Sequence, residues 1–234
     1  MGGPAVISRR PRSARGSGGQ LRTEILEAAA DLLARTGDAE AVSIREIGRR
    51  VGVSAPSIYR HFADKDALIE AVVVRVFENL DAALTAATDP TKSPITRMRD
   101  QGLAYIRFAL DHPEQYRIAT ARHAGEGPNS VDLVLSSGVF QRFAGNVRDA
   151  MDTGTITPGD PMPIVLELWA AAHGLASLLI AKPYLPWGDI ETVAERVLGA
   201  ACVGHLVLDT MSGGGPTPSP DEGSRWLEEM RRRM

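Results

Sequence analysis

Residues 43–62, SIREIGRRVGVSAPSIYRHF, constrain this chain more than any other stretch. They hold two short amphipathic helices and almost no chain between them. Ser43 is a helix N-cap residue, and Glu46 three positions later completes the pattern of a capping box. Ile44 and Ile47 give the first helix one apolar face, which Val51 closes. Gly52 falls where the chain must turn sharply, a position suited to a residue free to take positive φ. Ser54 is placed to cap the second helix, and Pro56 sits in its first turn, where a missing N–H is harmless. Ile58 and Phe62, four residues apart, face inward, which leaves Ser57, Tyr59, Arg60 and His61 on the other faces. Gly48 lies near the crossing of the two helices, where a larger side chain would hold them apart. This is a helix-turn-helix pattern, and it makes duplex DNA the first partner to consider.

The distribution of charge agrees. Over all 234 residues the formal net charge is −3, which by itself argues weakly against a polyanionic partner. Residues 1–65, however, carry 11 Lys and Arg against 7 Asp and Glu, whereas the remainder carries 15 against 22. A basic N-terminal part attracts phosphates while an acidic remainder stays off the duplex.

The same stretch, with LRTEILEAAADLLARTG at 21–37 before it and IYRHFADKDALI at 58–69 across its end, resembles the TetR family of bacterial transcriptional regulators. The run Tyr59-Arg60-His61-Phe62 followed by Lys65 and Leu68 carries the likeness. HPEQYR at 112–117 and ELWAAAHGLASLL at 167–179 resemble one class of C-terminal domain in that family, marked by a Trp…His-Gly element. The resemblance implies that the second helix of the motif enters the major groove. Ser54, Ala55, Ser57 and Tyr59 would then lie near bases or backbone, with Arg60 and His61 close to phosphates. The Ala55 methyl suits a thymine methyl, and serine hydroxyls donate or accept at either base edge. Ser43 and Arg45 stand where a helix start meets phosphate. Lys65 resembles the family's phosphate-contacting lysine. Two departures bear on the operator: Ala55 replaces the commoner glycine, and Pro56 removes a backbone N–H.

The rest of the chain reads as all-α, with about nine helices and no strand alternation. Residues 1–19 form a basic arm expected to be disordered, in which Arg9, Arg10, Arg12 and Arg15 are either solvated or in contact with DNA. Residues 20–66 make the DNA-binding domain, opened by a bracing helix with the stripe Ile25, Ala28, Ala29, Leu32 and Leu33 that stops at Gly37. Residues 67–211 make a ligand-sensing and dimerisation domain, and 212–234 a flexible tail. Within the larger domain, Leu68, Val72, Val76, Leu80 and Leu84 predict a long helix to about Ala87. Others are expected over 94–110, 113–121, up to Met151, 162–182 and 189–210, with loops at 125–130 and 153–163.

Helix 162–182 is apolar on nearly every face and reads as a buried helix rather than a membrane span. In helix 189–210, Ile190, Val193, Val197, Ala201, Gly204 and Leu208 follow a heptad-like spacing with small residues that permit close approach. These two helices are the expected subunit contact, because two-fold symmetry presents two recognition helices to two half-sites. Phe77, Tyr105, Phe108, Tyr116, Phe140, Phe143, Trp169 and His173 either line a pocket for a lipophilic small-molecule inducer or are ordinary core aromatics.

Catalysis is not expected. Cys202 is the sole cysteine, so the Cys202–His205 pair has no second cysteine to complete a zinc site. The pairs His112–Glu114 and His123–Glu126 have the composition of polar loops, and there is no phosphate-binding loop or nucleophile elbow. The expectation is a cytoplasmic, homodimeric, ligand-responsive repressor of a palindromic operator, needing no metal or cofactor. The alternative is a helical scaffold or co-regulator without DNA binding.

Overall fold

A computed structural model describes residues 17–120 and 138–233. Among these residues there are ten α-helices and no strand. They are α1 (Ser17–Thr36), α2 (Ile44–Val51), α3 (Ala55–Tyr59), α4 (Lys65–Ala87), α5 (Pro94–Asp111), α6 (Pro113–Thr120), α7 (Gly138–Asp152), α8 (Met162–Ala181), α9 (Ile190–Ser212) and α10 (Pro220–Arg233). Arg9, Arg10, Arg12, Arg15, His123, Glu126 and the loop at 125–130 lie outside the described residues.

The helices form two compact units. The first takes described residues 17–79 and 112–120, and the second takes 80–111 and 138–233. In the first unit α1 packs on both α2 and α6, and α2 packs on α3. Its core is apolar throughout: Ile25, Leu33, Ile47, Ile58 and Leu68 are each at most 1% exposed, with Phe62 beside them. Arg22 lies over the Phe62 ring at 5.0 Å from its centroid. The recruitment of α6 to this unit departs from a boundary at residue 66. Tyr116 and Ile118 are buried, so α6 supplies an apolar face to α1 that no local pattern around residue 66 announces.

In the second unit α5 is central and packs on α7, α8 and α9. Gly102 lets α9 come close: a β-carbon there would stand 2.9 Å from a Leu198 methyl. Arg142 makes a two-pronged hydrogen-bonded pair with Asp81, both bonds 3.0 Å, which ties α7 to the end of α4. Arg97 reaches Asp149 at 2.6 Å and ties α5 to α7.

Two expectations need correction. Helix α8 is less enclosed than a buried helix. Ile164, Val165, Ala172, Leu175, Ala176 and Leu179 are buried, but Leu166 and Leu178 are 44% and 50% exposed. It is long and apolar enough to cross a bilayer, yet it is packed against α5, α7 and α9. Second, part of the expected flexible tail at 212–234 is helical. Ser219 and Glu222 form a complete capping box: the Ser219 N–H donates to the Glu222 carboxylate at 2.7 Å, and the Glu222 N–H donates to Ser219 Oγ at 3.3 Å. Pro220 starts α10, and Arg231, Arg232 and Arg233 face its carbonyl end, where cations are favoured. This helix buries none of its residues, so its local signals, not an apolar stripe, account for it.

Candidate nucleic-acid interface

Helices α2 and α3 carry the expected DNA-facing residues, and the geometry of the turn follows from two glycines. Gly52 ends α2 at φ +74°, where a side chain would be strained. Gly48 is buried, and a β-carbon on it would stand 2.7 Å from the Val53 carbonyl oxygen, while the Val53 N–H donates to the Gly48 carbonyl at 2.8 Å. The chain after the turn thus runs directly over Gly48. We expect Gly48→Ala to cost about 1–3 kcal/mol, because backbone rather than a movable side chain must yield. A urea titration checks this: the midpoint should fall at unchanged slope.

Ser43 caps α2 as its position suggests, its Oγ accepting from the Glu46 N–H at 3.4 Å. The other half of the capping box does not form. The Glu46 carboxylate accepts instead from Arg49, at 2.9 and 2.6 Å, and from Arg50 at 3.1 Å. Charge-assisted bonds to guanidinium groups three and four residues away outcompete a neutral backbone donor. Hydrogen bonds from Arg49 and then Arg50 lower the Glu46 pKa to about 2. This ion-pair support of α2 is therefore present above the ordinary carboxylate pKa and is lost only as the pH falls toward 2. Arg50 also pairs with Asp31 of α1, so the two basic residues at the end of α2 are matched by acids.

The cap of α3 differs from expectation too. Ser54 has the extended backbone of a cap residue, but its hydroxyl makes no cap hydrogen bond. Pro56 has no N–H to offer, and the Ser57 N–H already donates to the Ser54 carbonyl at 2.9 Å. Ser54 Oγ turns to Ser57 Oγ, 3.1 Å away, and Arg60 donates to Ser57 Oγ at 3.0 Å. These three side chains form a linked polar row along the outer face. Helix α3 is regular only through Tyr59. His61 and Phe62 donate to the Ile58 carbonyl in a closing turn, at 2.8 and 3.1 Å.

Beneath this row Ile58 is fully buried; above it Tyr59 is 47% exposed, the largest apolar surface on the motif. Ser43, Arg45, Ser54 and Arg60 are exposed, and Ala55, Ser57 and His61 are half-buried. Lys65 opens α4, where Asp64 caps the helix by accepting from the Ala67 N–H at 2.7 Å. The Lys65 ammonium donates to the Glu40 carbonyl at 2.9 Å, tying α4 to the loop between α1 and α2.

Of the eight aromatic and histidine positions proposed for an inducer pocket, the structure brings four into one cluster. Tyr105 Oη lies 3.0 Å from His173 Nδ1, the Trp169 and His173 rings are 5.0 Å apart, and Phe140 meets Trp169 edge-on at 5.4 Å. Burial pushes the His173 pKa down, favouring the neutral ring. Phe108 and Phe143 are buried in the same unit, whereas Phe77 and Tyr116 belong to the other. A half-open cleft of about 220 Å³ in the first unit is lined by Leu26, Val72, Arg75, Asn79, Gln115 and Ile118 among others, and by none of the eight.

On α9 the inward stripe is Ala194, Leu198 and Cys202. The six positions expected at a subunit contact, Ile190, Val193, Val197, Ala201, Gly204 and Leu208, all lie off that stripe and none is buried. Val203 of α9 and Leu166 and Leu178 of α8 are also exposed, at positions the heptad spacing does not include. The Cys202–His205 pair is divided: Cys202 faces the core, where burial raises its thiol pKa, and His205 Nδ1 lies 3.2 Å from the Glu167 carboxylate of α8.

An all-helical subunit with a helix-turn-helix in one unit and a helical bundle in the other defines a class of DNA-binding regulators, and comparison with known proteins narrows it. Residues 25–72 match the model of bacterial regulatory proteins of the tetR family, and residues 98–224 match that of the tetracyclin repressor-like C-terminal domain. The chain belongs to the TetR family. It is 26% identical to the nucleoid occlusion factor SlmA of Vibrio cholerae over 150 residues, which cover 64% of this chain and 76% of that protein. A structure of a protein of unknown function from Rhodococcus sp. RHA1 is similar with a TM-score of 0.67 at 28% identity, covering 82% of this chain and 98% of that one. A TetR family transcription regulator from Marinobacter aquaeolei VT8 shares the fold with a TM-score of 0.64 at 20% identity, covering 80% and 98%. This is a family of regulators, not of enzymes.

Proposed function

We propose that this TetR-family regulator is a homodimeric repressor that reads a palindromic operator and is released by a small, largely apolar inducer. The observation that carries the DNA reading is the polar row Ser54–Ser57–Arg60 with exposed Tyr59, presented above a buried Ile47–Ile58–Phe62 core. Its side chains are held by one another rather than by the protein interior, so they are available to a duplex without unfolding anything. Tyr59, Ser54, Ala55 and Ser57 are assigned to base edges, and Ser43, Arg45, Arg60, His61 and Lys65 to phosphates.

The unburied apolar faces of α8 and α9 support assembly into a dimer through these two helices. Leu166, Leu178, Ile190, Val203 and Leu208 are each between 38% and 56% exposed in the single subunit. Exposed apolar side chains on two helices that pack together are the kind of surface a partner subunit covers. The aromatic cluster around His173 supports the second unit as the sensor. Helix α4 contributes residues 65–79 to one unit and 80–87 to the other, so it is one covalent route by which occupancy of the sensor reaches the reading helices, the junction between α5 and α6 at 111/112 being another. The inducer acts through a difference in affinity between the DNA-competent and released states.

The test is a binding titration on duplexes at several salt concentrations. Arg60→Ala and Lys65→Ala should weaken binding to operator and random DNA alike and lower the salt slope by about one each. Tyr59→Ala should cost more on the operator than on random DNA. Sequence preference that changes in Lys65→Ala at an unaltered salt slope would contradict the assignment. The similarity to nucleoid occlusion factors favours a second reading, in which the protein acts at the nucleoid rather than at one promoter. A genome-wide occupancy map separates the two by the number and spacing of bound sites.

A further inference from the structure

Two side-chain amides are buried inside the second unit with three of their four polar atoms unsatisfied. Gln101 of α5 is 0% exposed, and neither its Oε1 nor its Nε2 has a hydrogen-bond partner. Asn146 of α7 is 5% exposed, and its Nδ2 has none either. Leaving a buried amide group unsatisfied forfeits its hydration with nothing in return, so such groups in a native core have a reason to be there.

The register of the helices places the two amides at the same level. Arg97 of α5 bonds Asp149 of α7 at one end. At the other, Tyr105 of α5 reaches His173, which stacks against Trp169, which meets Phe140 of α7. Helix α5 running from 97 to 105 therefore parallels α7 running from 149 back to 140. Gln101 lies one turn from each end of this span on α5, and Asn146 lies within it on α7. The aromatic cluster that begins one turn further along supplies an apolar wall. The ionised groups fixed by this register are Arg97 and Asp149, which pair through one guanidinium nitrogen at 2.6 Å and leave the buried Arg97 Nε without a partner.

We propose that Gln101 and Asn146 are the polar anchors of the inducer site, and that the inducer is an uncharged molecule with an amide-like head and an apolar, aromatic-sized body. This rests on the reading of the second unit as the sensor. The head must present an acceptor and a donor side by side, as a carboxamide or a lactam does. Its carbonyl oxygen has two lone pairs, one for Gln101 Nε2 and one for Asn146 Nδ2. Its N–H donates to Gln101 Oε1. Because both atoms of the Gln101 amide lack partners, the two-point match holds in either orientation of that amide. A carboxylate head is acceptor-only and leaves Gln101 Oε1 unsatisfied, which selects against acids. The body packs against Phe140 and Trp169.

Benzamide is the smallest probe with these features, and isopropylbenzene has the same outline without the polar head. Ligand-observed NMR titrations at millimolar concentration, the range such fragments reach, are run on the full chain and on Gln101→Leu, Gln101→Met and Asn146→Leu. The expected result is saturable binding of benzamide to the wild type. That affinity should fall about tenfold or more in the Gln101 variants, while isopropylbenzene binds them at least as well as the wild type. Two Gln101 variants of near-equal volume guard against a single misfolded protein. No saturable binding of benzamide to the wild type overturns the proposal. So does undiminished binding by a folded Gln101 variant. A Gln101→Leu protein that melts higher, together with no benzamide binding by the wild type, assigns the amides to buried water only and overturns it equally. Operator affinity is measured in the same samples. Benzamide that binds through Gln101 but leaves operator affinity unchanged keeps the site and overturns only the inducer role.

Discussion

Val197→Arg and Gly204→Glu should each convert a dimer into monomers and reduce operator affinity by roughly two to four orders of magnitude. Both positions lie on the face of α9 turned away from the Ala194–Leu198–Cys202 stripe, so the subunit's own core does not register the change. In the proposed dimer the same face meets its symmetry mate, and each substitution places a charge there twice without a counter-ion. The loss on DNA is large because two linked half-site contacts are replaced by one, and avidity of roughly 10²–10⁴ goes with the link. Sedimentation and a thermal melt on the same samples check this. A charged variant that remains dimeric with full operator affinity contradicts the interface, and one that melts early contradicts the claim that the core is spared.

Ile58→Ala should have the largest effect on stability among the conservative changes in the reading unit, about 2–5 kcal/mol. Ile58 is fully buried, and its carbonyl accepts both hydrogen bonds that close the turn after α3. The substitution opens a cavity below the polar row on α3 and loosens the helix that carries Tyr59. Denaturant unfolding gives the magnitude, and operator titration gives the consequence: binding should fall with no change in oligomeric state. Full stability in this variant would show that the helix-turn-helix does not pack around Ile58 as described.

The sequence made the motif readable because everything that defines it is local. Ser43, Gly48, Gly52 and the Ile58–Phe62 pair lie within twenty residues, and each fixes a cap, a crossing, a turn or a face by its own chemistry. The corrections come from competition that spacing does not rank. Glu46 had both a backbone N–H and two guanidinium groups within reach, and charge decided. Ser54 had a cap to make, but proline had removed one donor and a backbone carbonyl had taken the next.

Long-range packing was harder to read. The burial of Tyr116 and Ile118 against the first unit depends on α6 meeting α1 across some eighty residues of chain. Helix 162–182 reads as buried because it is apolar on nearly every face, and only the folded chain shows that Leu166 and Leu178 remain uncovered. Gln101 and Asn146 had no signal at all in a single sequence. A glutamine in an amphipathic helix is ordinary until its exposure is zero and its amide atoms have no partner. Helix α10 was the reverse case: Ser219, Pro220 and Glu222 spell a helix start, but the first two belong to a Gly/Pro/Ser run that reads as a linker into a tail.

Selection of random duplexes by the purified full chain, followed by sequencing of what it retains, tests the central claim most directly. The account predicts an enriched inverted repeat whose half-sites are centred about one helical turn, or 10–10.5 base pairs, or a multiple of it, apart. Two protomers should bind per duplex, and the Tyr59→Ala protein should fail to enrich the same sequence. No enrichment over random DNA, or a single half-site held by one protomer, would contradict it.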